Sequence, residues 1–527
     1  MKKRLSFFVI ICIIGAAALT GALLCEKICD NTRRRHTLDY SDEMLLQLPY
    51  FDLLAVKGEN RGLPCDIESY SLGDGYIHLV LPEGVDERAL AVYIRDINGD
   101  FLARRVYDMT QKVMIGSWEI VIDHHVLPVI YFETGDPEVY ERMNESETKD
   151  IICSGDMQIC INRERNPEDA EYISTSDKKK AKLKASLQGR GNDSWGSNRK
   201  KSYTLSLKKA HNLLGLGKNK NWNLIGNAYD NSLIKNLTFN EISDQAGIEF
   251  QPKMRNVDLY VDGRYEGVYT LSTKVSVDRD RVDLQNGDFF FKMDPPDAEQ
   301  PIRYESKTWF EDGLSYPVAD LRFPKKAGPE TISEATKVLQ TFIDVIEDPD
   351  SGKIADVCDI RSLARYYWIE EASMNFDAWQ RSVYMYYRRT DGKMHMGPVW
   401  DMDRSLGSPY DKEGMLFDTP FGWKVRNAGW YTRLFENSDF REAVRDEYFN
   451  GGIRDVLFGG ISAFEKNKSL MGDDGDLNFV IFGHANDIGA PGIFSDAGDY
   501  DSYCDSMTHF YRERIEWIDK EMTEESM

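Results

Sequence analysis

The stretch Gly189-Arg190-Gly191-Asn192-Asp193-Ser194-Trp195, followed by Lys200-Lys201-Ser202-Tyr203-Thr204-Leu205-Ser206-Leu207-Lys208, decides how this chain is read. Its second half alternates: Lys201, Tyr203, Leu205 and Leu207 share one face of an extended segment, and Ser202, Thr204 and Ser206 share the other. That is the pattern of a strand with one buried face. Its first half holds two glycines and short polar residues, a turn whose backbone N–H groups can come close to an anion. Strand phase separates the two lysines. Lys201 is expected to point inward, where a buried ammonium needs a counter-charge, and Lys200 is expected to face solvent.

Charge sharpens this reading. Between Lys178 and Lys220 there are thirteen Lys or Arg residues and one acidic residue, Asp193, in a chain whose formal net charge is −23. The overall negative charge excludes general nucleic-acid binding, which needs positive charge over much of a face. A local cationic island fits a phosphorylated ligand instead, with Gly189, Arg190, Gly191, Asn192, Lys200 and Lys201 as the cradle. The same composition also describes a solvated basic turn and strand, and a single Gly-x-Gly has little specificity.

The remainder of the 527 residues divides by composition. Residues 1–4 carry Lys2, Lys3 and Arg4, and residues 5–25 are uncharged over a length that spans a bilayer. The flanking charge places 1–4 in the cytoplasm and the bulk of the chain outside it. Length favours a retained single-pass anchor over a cleaved signal peptide and secretion, for which Ala16-Ala17-Ala18 and Thr20-Gly21-Ala22 supply small residues. Residues 26–62 are expected to form a polar stalk. Residues 63–125 are expected to form a small β-sandwich-like domain, with a hairpin at Asp96-Ile97-Asn98-Gly99-Asp100. Residues 126–527 form the larger unit. Cys153 and Cys160 are either a local disulfide or buried thiols, and no Cys-x-x-Cys pair is present for zinc.

Within the larger unit, strand signals dominate early: Leu127 to Phe132, the Lys200 strand, and a hairpin at Asp262-Gly263. Helical periodicity dominates later, at Glu330 to Glu347, Arg361 to Met374, Phe440 to Phe449 and Tyr500 to Met522, with an earlier helix over Asp230 to Gly247. The fold class is therefore α+β, with two lobes. Two acidic motifs close elements: Asn375-Phe376-Asp377 ends a helix, and Trp400-Asp401-Met402-Asp403 ends a hairpin strand. Of Asp401 and Asp403, one is expected to bind a metal and the other to cap or brace the turn. With Asn375 and Asp377 they offer hard oxygen ligands for Mg²⁺ or Mn²⁺. A cation cradle, a metal and a carboxylate are the components of phosphoryl transfer. Asp474-Gly475-Asp476 lacks the spacing of a calcium loop.

Taken together, these motifs resemble the spore coat protein H (CotH) kinase family of atypical, secreted-type protein kinases. The resemblance runs from Leu127 to the C-terminus. It rests on Gly189 to Trp195 with Lys200 to Tyr203, on Trp222-Asn223-Leu224-Ile225-Gly226-Asn227-Ala228-Tyr229-Asp230 through Asn236, on Val257 to Tyr269, and on the two acidic motifs. It implies a highly divergent protein-kinase-like domain that transfers phosphate from ATP to Ser or Thr of protein substrates. By the resemblance, Asp377 matches the catalytic-loop aspartate and Asp401 the metal-binding aspartate. Asp403 and Asn375 would be further ligands or braces, Lys201 the lysine on the ATP phosphates, and Glu241 its helix partner. Gly226 and Lys235 depart from the family pattern, where a small residue and an arginine are expected. A basic, Ser/Thr-rich protein substrate suits the acidic chain. The competing reading is a surface scaffold or adhesion protein that keeps the domain as a binding module.

Overall fold

The structure is a computed structural model that describes residues 41–45, 50–71, 75–96, 98–162, 182–197, 200–293, 298–308, 318–348, 350–379, 381–407, 411–412, 415–482, 494 and 497–524. The expected cytoplasmic segment 1–4, the anchor 5–25 and most of the expected stalk lie outside the described residues. Among the described residues no helix is long and apolar enough to cross a membrane. The chain divides into two compact units, 1–124 and 125–527.

The first unit holds eight described strands: β1 (Asp52–Ala55), β2 (Ile67–Glu68), β3 (Tyr70–Ser71), β4 (Tyr76–Val80), β5 (Leu90–Arg95), β6 (Phe101–Tyr107), β7 (Val113–Ile115) and β8 (Trp118–Asp123). They make two sheets, ordered β2-β1-β5-β6 and β3-β4-β8-β7. The expected hairpin joins β5 to β6, with Gly99 in the left-handed region. The end of the expected stalk is corrected. Leu53, Leu54 and Ala55 are buried and pair through β1 with β5, because this apolar run completes a sheet that a solvated stalk would leave open.

The second unit is built on a closed seven-stranded barrel and a separate five-stranded sheet. The barrel strands are β9 (Val129–Thr134), β10 (Ile152–Cys160), β11 (Leu183–Arg190), β12 (Ser202–Asn212), β13 (Lys218–Ile225), β14 (Met254–Val261) and β15 (Arg264–Thr273). Their order around the barrel is β10-β11-β12-β13-β15-β14-β9, closed by the parallel pair β14 and β9. Tyr203, Leu205 and Leu207 fill the barrel with Trp195, Trp222 and Leu224, as their alternation demands. β14 and β15 join through Asp262 and Gly263, both at positive φ, which suits a tight hairpin turn. Cys153 and Cys160 are free thiols at opposite ends of β10. At about 3.3 Å per residue they stand roughly 23 Å apart, so the disulfide alternative fails.

The sheet β17 (Pro301–Arg303), β18 (Val318–Phe323), β16 (Phe289–Met293), β19 (Val383–Arg388), β20 (Lys393–Met396), given in its spatial order, packs with the helices around one large apolar core. The Pro329–Glu347 helix starts with proline in its first turn, and the Ile360–Ser373 helix is capped by the Asp359 carboxylate on Arg361 N and Ser362 N. The helix expected over Asp230 to Gly247 spans Lys235–Gln245. Asp230 is spent on the turn before it, accepting from Ser232 N and Lys235 N. Among the described helices of ten residues or more, Ile453–Met471 and Asp473–Phe482 carried no clear sequence signal. The mixed α/β architecture thus matches the expected class.

Candidate functional site: a cationic pocket holding three carboxylates

The barrel strands β11 and β12, the five-stranded sheet and the loops after the Ile360–Ser373 helix and β20 together line a cavity of about 930 Å³. This volume lies within the usual range of small-molecule sites, ~300–1,000 Å³. Gly189, Arg190, Gly191 and Asn192 form one wall, and Asp377, Asp401 and Asp403 another. Seven cationic side chains line it: Lys149, Arg190, Lys292, Arg303, Arg322, Arg381 and Arg404. A formal surplus of four positive charges in a protein of net charge −23 gives the pocket a field that attracts anions.

The glycine turn is shaped by packing as much as by the ligand it can admit. A Cβ at Gly189 would lie 2.5 Å from the Trp195 ring, and Gly191 has φ +91°. Lys149 Nζ pins the turn from below, donating to Gly191 O at 2.8 Å and Asn192 Oδ1 at 3.0 Å. Arg190 lies 5.8 Å from the Trp400 ring centroid. Burial disfavours its charge, and Asp401, Tyr384 and Asp403 act in the opposite direction.

The two acidic motifs enter the pocket by turns. Met374 adopts the left-handed conformation that ends its helix. Asn375 Oδ1 then accepts from Asp377 N at 3.1 Å, while its Nδ2 donates to Glu370 Oε2 at 2.8 Å. Asn375 is buried and does not line the pocket, so its position is that of a brace that sets the Asp377 backbone. Asp401 is also left-handed, at φ +70°, and a 3₁₀ turn over Met402–Arg404 follows. Here the expectation of one ligand and one brace is corrected: Asp401 and Asp403 both line the cavity. The exposed Asp401 accepts from Ser382 Oγ at 2.9 Å. Asp403 is buried, and desolvation, with Asp401 and Asp230 nearby, raises its pKa to about 8.

The segment 222–236 supplies the frame. Lys235 Nζ donates to Ser405 O at 2.8 Å, Asn236 Oδ1 accepts from Met402 N at 2.8 Å, and Asn236 Nδ2 donates to Asn227 Oδ1 at 3.0 Å. These bonds hold the Asp401–Leu406 backbone in its turn. Lys235, which stands where an arginine was expected, is buried and serves this brace. Gly226 permits close approach: a Cβ there would meet Lys200 O at 3.1 Å and Lys201 O at 3.2 Å.

Both lysine expectations are corrected. Lys200 is the buried one, with Nζ bonded to Val268 O and, at 2.7 Å, to Asn478 Oδ1. Lys201 is half-buried, and its Nζ donates to Trp195 O while lying 5.2 Å from the Trp195 ring centroid. The alternation holds from Tyr203 onward, but β12 begins at Ser202, so strand phase does not extend back to the lysines. Neither lysine lines the pocket. Glu241 does not meet Lys201; it pairs with Lys466 at 2.9 Å, partly exposed.

Sequence reasoning missed Lys149, Lys292, Arg303, Arg322, Arg381 and Arg404. One signal was available: Lys292 interrupts the apolar run Phe289-Phe290-Phe291 to Met293, and a lone cation in such a strand needs a polar destination. The rest converge only through topology. Among protein-family models, the one described as CotH kinase protein matches residues 187–455, about half of the chain, a segment that contains every named pocket residue except Lys149. No curated protein matches the chain.

Proposed function

The chain belongs to the CotH kinase family, and from that premise we propose that the pocket binds ATP with Mg²⁺ or Mn²⁺ and passes the γ-phosphoryl group to a Ser or Thr hydroxyl of a protein substrate. The observation that carries this reading is the lining itself, seven cations around three carboxylates. A polyphosphate needs the cations, and the carboxylates need a reason to sit among them. In this reading the barrel and the helix-rich part act as the two lobes of a divergent kinase-like fold.

The residues fit a divalent metal. Asp401 lies close enough to disfavour the charge of Asp403, and a cation held by the two carboxylates would relieve that repulsion. When bound, the ion neutralises phosphate charge and orients the leaving oxygen. The protein does the remainder. Arg190 and the Gly189–Asn192 turn receive phosphate oxygens, and Lys149 keeps the turn in place. Asp377, fixed by Asn375, orients the attacking hydroxyl and takes its proton. Ser382 holds Asp401 through the 2.9 Å bond.

The overall charge of −23 favours a basic, Ser/Thr-rich substrate protein, and the uncharged run at 5–25 favours a membrane-anchored enzyme acting outside the cytoplasm. The test is transfer of labelled γ-phosphate by the purified chain to itself or to a basic acceptor protein, with Mg²⁺ or Mn²⁺ present. Asp401→Ala and Asp377→Ala are each expected to lower the rate by about 10²–10³-fold, the cost of removing a group aimed at transition-state charge or proton transfer. Equal transfer by wild type and both variants overturns the assignment.

A further inference from the structure

A second group of ligand-type side chains lies in the 125–527 unit, away from the pocket lining. His125, Asp258 and Asp474 are all buried, and one ligand atom from each lies within 4.8 Å of the others. His125 Nδ1 stands 2.8 Å from both Asp258 Oδ2 and Asp474 Oδ1. One N–H can serve one acceptor well, and it bonds Asp474. Asp258 Oδ2, on a side chain with 0% exposure, has no hydrogen-bond donor of its own among the described residues besides this shared imidazole nitrogen. A buried carboxylate oxygen that must share its one donor with a second carboxylate is costly unless something else fills that role.

The outer contacts are all in place. Asp258 Oδ1 accepts from Tyr265 Oη at 2.7 Å. Asp474 Oδ2 accepts from Val126 N at 2.8 Å and Leu127 N at 2.7 Å. His125 Nε2 lies 3.1 Å from Tyr260 Oη, which fixes that nitrogen as the partner of a hydroxyl and leaves Nδ1 for the cluster. Each group thus has one polar atom oriented by the protein and one turned to a common point, the arrangement of metal ligands with their supporting shell. Lys200 Nζ bonds Val268 O and Asn478 Oδ1.

We propose that His125, Asp258 and Asp474 form a structural site for a divalent transition-metal ion, Zn²⁺ or Mn²⁺, separate from the metal of the phosphate pocket. One imidazole and two carboxylates suit these ions, and two negative charges balance a divalent one. Ligands at ~2.1 Å from a tetrahedral ion stand about 3.4 Å apart, so the cluster opens by roughly half an ångström on binding. Bound there, the ion ties the segment entering β9 to β14 and to the Asp473–Phe482 helix. That helix carries Asn478, which bonds Val268 N at 2.9 Å and Lys200 Nζ. Two of the three ligands, His125 and Asp474, lie outside the segment matched by the family model.

The experiment uses the full chain with the pocket carboxylates neutralised, Asp401→Asn with Asp403→Asn, so that ion content reports the buried site alone. After chelation and exposure to Zn²⁺ or Mn²⁺ followed by dialysis, one equivalent of ion is expected to stay bound, and adding His125→Gln is expected to remove it. An ion-free protein, meaning a triad closed by a proton only, overturns the proposal, as does equal retention by the His125→Gln variant. Should that variant fail to fold, X-ray absorption at the metal edge of the folded parent decides. One imidazole nitrogen in the coordination shell is expected, and an all-oxygen shell overturns the proposal.

Discussion

The pocket and the His125 cluster use carboxylates in opposite settings. Around the pocket, Asp377, Asp401 and Asp403 face seven cations across an open cavity of about 930 Å³. In the cluster, Asp258 and Asp474 face a single imidazole, and all three side chains are at most 4% exposed. An open, cation-rich setting leaves charge free to meet a ligand, and Asp401 is held there in a left-handed conformation that costs about 1–2 kcal/mol. A sealed setting fixes charge as structure. The difference predicts that carboxylate chemistry is lost without loss of fold in the first region, and that fold is lost along with the charge balance in the second.

The largest expected effect separates the two regions directly. His125→Leu strands two buried carboxylates, and its urea unfolding free energy is expected to fall by about 3–5 kcal/mol. Asp401→Ala, at an exposed position, is expected to change stability by less than about 1 kcal/mol, because relief of Asp403 offsets the poorer fit of Ala to the left-handed backbone. Equal destabilisation of the two variants would erase the distinction.

A smaller effect sharpens the pocket itself. Arg190→Met is expected to weaken nucleotide affinity by about 10–100-fold, the value of a charge-assisted contact of ~1.5–3 kcal/mol. Lys201→Met is expected to leave affinity within about twofold, since its ammonium serves Trp195 O. Calorimetric titration of both variants checks this, and the reverse ranking would restore Lys201 to the phosphates.

A further effect is in the pH dependence of stability. Burial lowers the Lys200 pKa to about 7 from the ordinary 10.5. Between those values the unfolded chain binds more protons than the folded one, so Lys200 contributes a rise in stability as pH increases from about 7 to 10.5. Lys200→Met is expected to flatten that rise in urea unfolding measured from pH 7 to 10, and an unchanged slope would place the ammonium in solvent.

Sequence made local features legible and left convergence hidden. The hairpin at Asp262-Gly263 and the alternation of Tyr203, Leu205 and Leu207 were readable because each is set by neighbours in the chain. The carboxylates Asp377 and Asp401 were readable as motifs. Lys200 and Lys201 were misread because strand phase was extended past Ser202, where the barrel strand begins. The left-handed Asp401 and the 3₁₀ turn after it stayed hidden, because no pattern in Trp400-Asp401-Met402-Asp403 announces them. The six further cations come from separate elements, from Lys149 to Arg404, and only tertiary structure gathers them. The His125–Asp474 contact spans 349 residues and has no local signature at all.

The central claim is that the Arg190–Asp401 pocket holds the triphosphate of ATP. A crystal structure of the purified chain with a non-hydrolysable ATP analogue and Mn²⁺ tests it most directly. The account predicts phosphate oxygens against Arg190 and the Gly189–Asn192 turn, and an ion on Asp401. A nucleotide bound elsewhere, or phosphates directed away from Asp401, would contradict it.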